Sequence, residues 1–424
     1  MNSRGFRSLD SFGIQPTPEP NPEGWHLPYP LRDYQQDAVT KLLAKGHGTI
    51  KLPTGSGKTL VATAIILAVH EPAVVLVPTK VLIDQVWVPE LRKAGIEPGV
   101  WYGEEKRPSF VTVSTYQSLY SNPELIRGFD VVLFDEGDLA VGEVWSRILD
   151  EAKRHRYAAV LTATLPTDPE RRRMLLASFP LVAEATPKEQ IARGVFVPVD
   201  VQTREVSLLG PETKAYEEIE KRMRNLRFVL RTGRPQEVVK LTGSGNPDVR
   251  KAAFAYLKLL SARSDLLART PARASALLAI AQAHPGQRVL VFGTRVESLA
   301  DSLAYLTMSG VPSRVISAET RAADRRAIFD EWGRSVQVVG SVDVLTRGVN
   351  VPEAAIAVIL GGGTGERRLI QRVGRVVRQL PGKTIATVYL IVARGTTEER
   401  LIPITKRIFA SPEATVEEGD EDAE

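Results

Sequence analysis

TIKLPTGSGKTLVATAIILAVH, Thr49 to His70, decides the fold: a strand-like run over 49–52 enters a glycine-punctuated loop, and a helix-forming stretch follows. Strand, Gly-rich loop and helix, in that order, form the setting of a phosphate-binding loop. In Thr54-Gly55-Ser56-Gly57 the two glycines let the backbone curl, so that successive N–H groups and the helix N-terminus face phosphate oxygens. Lys58 would then place its ammonium between the β- and γ-phosphates of a bound nucleotide, and the Thr59 hydroxyl would ligate Mg²⁺. The long form GxxxxGKT would need glycine at position 52, where Leu52 stands, so the chain carries the shorter TGSGKT version. A bare Gly-rich turn competes with this reading when the octapeptide is taken alone; its flanks favour the nucleotide.

Outward from this segment, short apolar runs alternate with amphipathic stretches. GTIKLP, AVVLVP, FVTVST, DVVLFDE and AAVLTAT read as one set of strands, and RVLVFGT, SRVIS, VQVVGS, AAIAVIL and ATVYLIV as a second. Nearly continuous apolar strands separated by helices indicate parallel sheets covered on both faces, so the class is α/β with two sheets in tandem. Between them, Pro211 to Arg273 is helical in character, and Lys221 to Arg273 holds thirteen Lys/Arg against three Asp/Glu. A basic helical connector is the reading, with a merely solvated helix surface as the alternative. The expected boundaries are a flexible Pro-rich leader over 1–30, a first lobe over 31–205, the connector over 206–275, a second lobe over 276–410 and a disordered acidic tail over 411–424.

At 424 residues the chain exceeds one ordinary domain, and its 43% hydrophobic and 25% charged composition excludes global disorder. No apolar run approaches the roughly 18 residues of a membrane span, and the start lacks a secretory core, so the expectation is no membrane and a cytoplasmic location. Zero cysteines exclude disulfides, thiolate metal sites and a cysteine nucleophile. The net charge of +5 includes seven acidic residues in Glu413 to Glu424, which leaves +12 on Met1 to Pro412 (5 + 7). That charge favours a polyanionic partner, although a generic solubilising charge explains it equally well when taken alone.

Hydrolysis needs carboxylates at the end of a buried strand. Val131 to Phe134 followed by Asp135 and Glu136 supplies them, with Asp138 just beyond. Asp135 can hold magnesium through water, and Glu136 can orient and deprotonate the attacking water. An acidic turn after a strand is the plain alternative, weakened here by the upstream phosphate loop.

In order, LPTGSGKT, DEGD, TAT and QRVGRVVR resemble motifs I, II, III and VI of the superfamily 2 helicases and translocases, over roughly 31–404. LRDYQ at 31–35, LTATLP at 161–166 and IQRVGRVVR resemble the XPB/UvsW-type branch of DNA helicases, and DEGD departs from the DEAD of RNA-remodelling proteins. The resemblance implies two tandem RecA-like lobes and ATP-driven movement on DNA, single-stranded or branched, with 3′ to 5′ stepping by analogy. A motor without strand separation, an RNA helicase and an ATP-switched clamp remain the competing functions.

The resemblance also implies site roles. Arg32 and Gln35 would hold and read adenine; Asp138, Thr162 and Thr164 would couple hydrolysis to movement. Pro78, Thr79 and Gln85, then Ser114, Thr115 and Gln117, then Phe292, Gly293 and Thr294, and finally Thr346 and Arg347 would contact nucleic acid. Capping of the next helix is nearly as good an account of any single hydroxyl among them. Gly348 and Asn350 would lie near the ribose, Asn350 standing where the family pattern often has aspartate. Gln371 would touch the γ-phosphate, and Arg375 and Arg378, three apart on one helical face, would act as arginine fingers from the second lobe.

Overall fold

The computed structural model describes residues 24–140, 146–342, 354, 356–361, 373 and 384–409. The expected leader before residue 24 and the acidic tail from residue 410 lie outside them. The described residues divide into two compact units that part between Phe196 and Val197.

The first unit is built on eight strands: β1 (His47–Lys51), β2 (Ala73–Val77), β3 (Gly99–Tyr102), β4 (Glu105–Arg107), β5 (Val111–Thr115), β6 (Val131–Asp135), β7 (Tyr157–Thr162) and β8 (Leu181–Glu184). Their order is β4-β3-β5-β2-β6-β7-β1-β8, parallel throughout except for the short hairpin β3/β4. The strand sequences are apolar on both faces because both faces are covered; β2, β5 and β6 are buried at every position. Val74, Leu76, Phe134, Val160 and Phe179 form the centre of one packed layer. Helix Asp33–Lys45 buries Tyr34, Ala38 and Leu42 at the i, i+4 spacing of a single helical stripe.

Order and register set up the site. β7 lies between β1 and β6, with Lys51 beside Thr162 and Asp135 beside Leu161. The Leu52 N–H donates to the Thr162 carbonyl at 2.9 Å. The three segments singled out in sequence therefore leave the same edge of the sheet from adjacent strands. Ligands of open α/β sheets bind at such carboxyl ends.

The second unit carries β9 (Val199–Val206), β10 (Val289–Phe292), β11 (Ser313–Ile316), β12 (Val338–Ser341), β13 (Ile356–Leu360) and β14 (Ala386–Ala393), in the order β11-β12-β10-β13-β14-β9, all parallel. β9 corrects the expected boundary: the sequence reading ends the first lobe at residue 205, yet residues 199–206 pair with the whole of β14 in the second sheet. As an edge strand β9 is only partly covered, so Gln202 and Arg204 interrupt its apolar pattern and blur its membership. Val289, Val291, Val358 and Ile391 form the centre of this core under helices Pro271–Ala283 and Val296–Met308.

The connector is helical as expected. Helices Gly210–Leu230, Pro235–Leu241 and Pro247–Ala268 enclose a small core of their own, formed by Met223, Leu230, Val238, Ala253 and Tyr256. Each has proline in its first turn, where the missing N–H costs nothing, and Asn246 caps the third by accepting from the Asp248 N–H at 2.9 Å. Arg263 pairs with Glu220, and the Arg227 Nε donates to the Tyr256 hydroxyl at 3.2 Å, which fixes the two long helices antiparallel.

Candidate active site

Thr49, Ile50 and the residues after them lead β1 into a loop whose Gly55 and Gly57 stand at φ +94° and +78°, the left-handed region that side-chain-bearing residues avoid. A Cβ at Gly57 would collide with the Gln35 amide nitrogen. Lys58 opens helix Lys58–Val69 and turns its ammonium back over the loop, donating to the Leu52 and Pro53 carbonyls at 3.1 and 3.4 Å. Thr59, the next residue, is half-buried. The Thr54 and Ser56 hydroxyl oxygens are buried without a hydrogen-bond partner among the described residues. Buried polar atoms of that kind are expensive unless a ligand completes them.

Gln35, expected to read adenine, is tied here to the helix start and to the phosphate loop. Its Oε1 accepts from the Arg32 N–H at 2.9 Å, and its Nε2 donates to the Ser56 carbonyl at 2.8 Å. The Tyr34 hydroxyl donates to the same carbonyl at 2.7 Å. The start of helix Asp33–Lys45 is thus fastened to the phosphate loop, while the Arg32 side chain is exposed.

Asp135 ends β6 and is 7% exposed. Burial pushes its carboxyl up to about 6 and the neighbouring Glu136 charge adds to this; the Lys58 ammonium and a hydrogen bond from Trp87 act in the opposite sense. The Trp87 indole Nε1 donates to Oδ2 at 2.9 Å, the Glu136 N–H donates to Oδ1 at 3.0 Å, and the Tyr116 hydroxyl donates to the Asp135 carbonyl at 2.7 Å. Glu136 adopts φ +53°, a conformation that costs a non-glycine residue about 1–2 kcal/mol. Strain of this sort collects at sites where a side chain must be aimed.

Asp138 and the TAT segment are brought together as read. Thr162, fully buried at the end of β7, donates to Asp138 Oδ1 at 2.9 Å and accepts from the Thr164 N–H at 3.2 Å.

The residues expected to touch nucleic acid separate into two groups. Pro78, Thr79, Gln85 and Thr294 are half-buried and Gln117 is exposed, so these present surface. Ser114 is corrected to a sheet-internal residue: it is fully buried in β5, beside β3, and donates to the Trp101 carbonyl at 2.6 Å. Thr115 caps helix Tyr116–Ser121, accepting from the Ser118 N–H at 3.2 Å. Phe292 is fully buried at the end of β10, and the Gly293 N–H donates to the Ser341 carbonyl, which leaves Thr294 as the accessible member of that trio. Thr346, Arg347, Gly348, Asn350, Gln371, Arg375 and Arg378 lie outside the described residues.

A family model described as type III restriction enzyme, res subunit, matches residues 28–167, and one described as helicase conserved C-terminal domain matches residues 271–379. A curated relative, the DNA 3'-5' translocase XPB2 of Sulfurisphaera tokodaii, is 28% identical over 392 residues, covering 88% of this chain and 86% of that protein. The chain belongs to helicase superfamily 2, in its XPB-type branch. The DNA 3'-5' helicase XPB of Mycobacterium tuberculosis is also 28% identical, over 92% of this chain, but the XPB-type chain spans only 64% of that relative's length. The helicase domain of Pyrococcus furiosus Hef shares its fold at a TM-score of 0.58 and 21% identity, over 89% of this chain and 98% of that one.

Membership in this superfamily implies ATP use, and the donor set of the XPB-type site suits it: a cationic loop with unsatisfied hydroxyls beside a buried carboxylate. Among the described residues no group of three or more acidic or imidazole side chains could cage a metal. Magnesium nucleotide needs no such cage, since one or two carboxylates and the phosphates complete its shell. No helix among the described residues is long and apolar enough to cross a membrane.

Proposed function

We propose that this chain is an ATP-driven DNA helicase or translocase that couples hydrolysis to movement along DNA and to its unwinding or remodelling. The observation that carries the reading is the convergence of Lys58, Asp135 with Glu136, and the Asp138–Thr162 bond at the ends of the adjacent strands β1, β6 and β7. Mg²⁺, held by Thr59 and through water by Asp135, would supply charge neutralisation at the phosphates.

The chain's own residues account for the rest. Lys58 exchanges its two carbonyl partners for phosphate oxygens, which strengthens its interaction because the new partner is an anion. Loop N–H groups fix the phosphates, and Glu136, held at its strained backbone angle, orients and deprotonates the attacking water. Gln35 reads adenine by trading its contact with Ser56 or Arg32 for the base edge, so base occupancy alters the loop directly. By the superfamily resemblance, Arg375 and Arg378 would contribute charge to the transferred phosphoryl group. Thr162 and Thr164 pass the state of Asp138 onward through their hydrogen bonds. Thr79, Gln85, Gln117 and Thr294 hold the DNA backbone without reading sequence, and the basic helices over 210–268 add non-specific grip.

A motor that does not separate strands is the second reading, favoured by the restriction-subunit match over the first lobe. Turnover of ATP with and without single-stranded DNA, beside displacement of a labelled strand from a forked duplex, tests both. DNA-stimulated turnover with displacement supports a helicase, and stimulated turnover without displacement supports a translocase. Turnover indifferent to DNA, or retained by Lys58→Ala, contradicts both.

A further inference from the structure

We infer that Trp87 and Tyr116 are positioning residues that carry DNA occupancy to Asp135, making the β2–β5–β6 edge the route by which DNA stimulates ATP turnover. The proposal rests on the reading of Lys58, Asp135 and Glu136 as the hydrolytic centre.

The argument begins with strand order. β2 lies between β5 and β6, with Val77 opposite Thr115 and Leu76 opposite Phe134, so the segments leaving β2 and β5 emerge beside the end of β6. From β2 the chain passes through Pro78 and Thr79 into a single turn of α-helix, Lys80–Leu82, and then into a π-helix, Ile83–Trp87. A π-turn carries an extra residue per turn, costs backbone geometry and is found mostly at functional positions. Here it presents Gln85 at the surface and, two residues later, buries Trp87 completely with its indole N–H on the Asp135 carboxylate. From β5 the chain passes through Thr115 into Tyr116, whose hydroxyl donates to the Asp135 carbonyl while Gln117 beside it is exposed.

One aspartate is therefore gripped at carboxylate and backbone by two aromatic side chains. Each is within two residues of a surface position suited to a DNA phosphate. Aromatic side chains have few rotatable bonds, so a shift of their backbone reaches the far polar atom rather than dissipating in rotamers. The π-turn has a neighbour on its other side as well: the Tyr102 hydroxyl, which donates to Glu105 at 2.6 Å, lies 3.3 Å from the Asp84 carboxylate, and the Lys80 ammonium sits 4.7 Å from the centre of that ring. DNA that displaces Lys80 or Gln85 pulls on the same segment that orients Asp135. Groups that orient a metal ligand in this way typically change activity or metal affinity by ~10–100-fold when removed.

The test uses the full chain labelled with 5-fluorotryptophan, in which the Trp87 resonance is the one lost in Trp87→Phe. Single-stranded DNA added without nucleotide should shift that fluorine resonance. Trp87→Phe and Tyr116→Phe should bind the same DNA with wild-type affinity, while the ratio of DNA-stimulated to unstimulated kcat falls by ~10-fold or more. Tyr116→Phe removes one hydroxyl and keeps the ring, so it reports even where Trp87→Phe does not fold. A Trp87 resonance that ignores bound DNA overturns the proposal, as does an equal fall of stimulated and unstimulated kcat in both variants. Wild-type turnover that does not respond to DNA would instead remove the function on which the proposal rests.

Discussion

On the proposed function single residues carry the chemistry, and their consequences separate cleanly. Lys58→Ala should lose nucleotide affinity and turnover together, because the ammonium serves ground and transition states alike. Glu136→Gln should keep nucleotide binding while kcat falls by ~10²–10⁴-fold, the usual contribution of a positioned base; fluorescence titration with a labelled nucleotide beside an ATPase assay distinguishes the two. Because Glu136 sits at φ +53°, Glu136→Gly should raise unfolding free energy by about 1 kcal/mol in urea denaturation even as turnover disappears. Lys58, Asp135, Glu136 and the Asp138–Thr162 pair were legible in the sequence because each lies in a short local pattern at a strand end. Trp87 and Tyr116 were not: they reach Asp135 across 48 and 19 residues of chain, and only the strand order brings them there. Ser114 was misread for the opposite reason, since a hydroxyl at a strand end looks the same in sequence whether it faces solvent or a neighbouring carbonyl.

At the scale of elements, the strands at the sheet centres were readable because burial on both faces leaves an uninterrupted apolar run, as in AVVLV of β2 or VLVF of β10. The edges were not. β3, β4 and β8 are short, and β9 alternates polar with apolar residues, so nothing in its composition announces that it joins the second sheet. The three-helix connector should depend on its own small core: Leu230→Ala should cost about 2–5 kcal/mol and be felt in that module first, as faster amide exchange over 210–268 than over the strands of the second sheet. His155, just before β7, supplies a pH dependence. Burial holds its imidazole below the ordinary value of 6.5, against a hydrogen bond to the Phe129 carbonyl at 2.6 Å and the nearby Glu151 and Asp130 charges. A depressed value means a neutral ring in the fold, so its stabilisation is full above pH 6.5 and is lost as pH falls below that. Melting temperature should decline between pH 7 and pH ~5, and His155→Gln should flatten that decline.

For the whole molecule, the question is how the chemistry of one unit is tied to DNA. On the proposed function, the +12 charge of residues 1–412 predicts DNA binding that weakens steeply with salt, with a logarithmic slope of about −0.7 per phosphate neutralised on single-stranded DNA, and little sequence preference. Substituting Arg375 or Arg378 by alanine should lower DNA-stimulated kcat by ~10³-fold or more while leaving DNA affinity within a few-fold, as expected of charges used in the transition state. The most direct measurement is steady-state ATP turnover of the wild-type chain across a titration of single-stranded DNA, with Glu136→Gln alongside. The expected result is a saturable rise in kcat with DNA that Glu136→Gln abolishes; a rate that stays flat while DNA binds, or a rise that survives the substitution, would contradict the account.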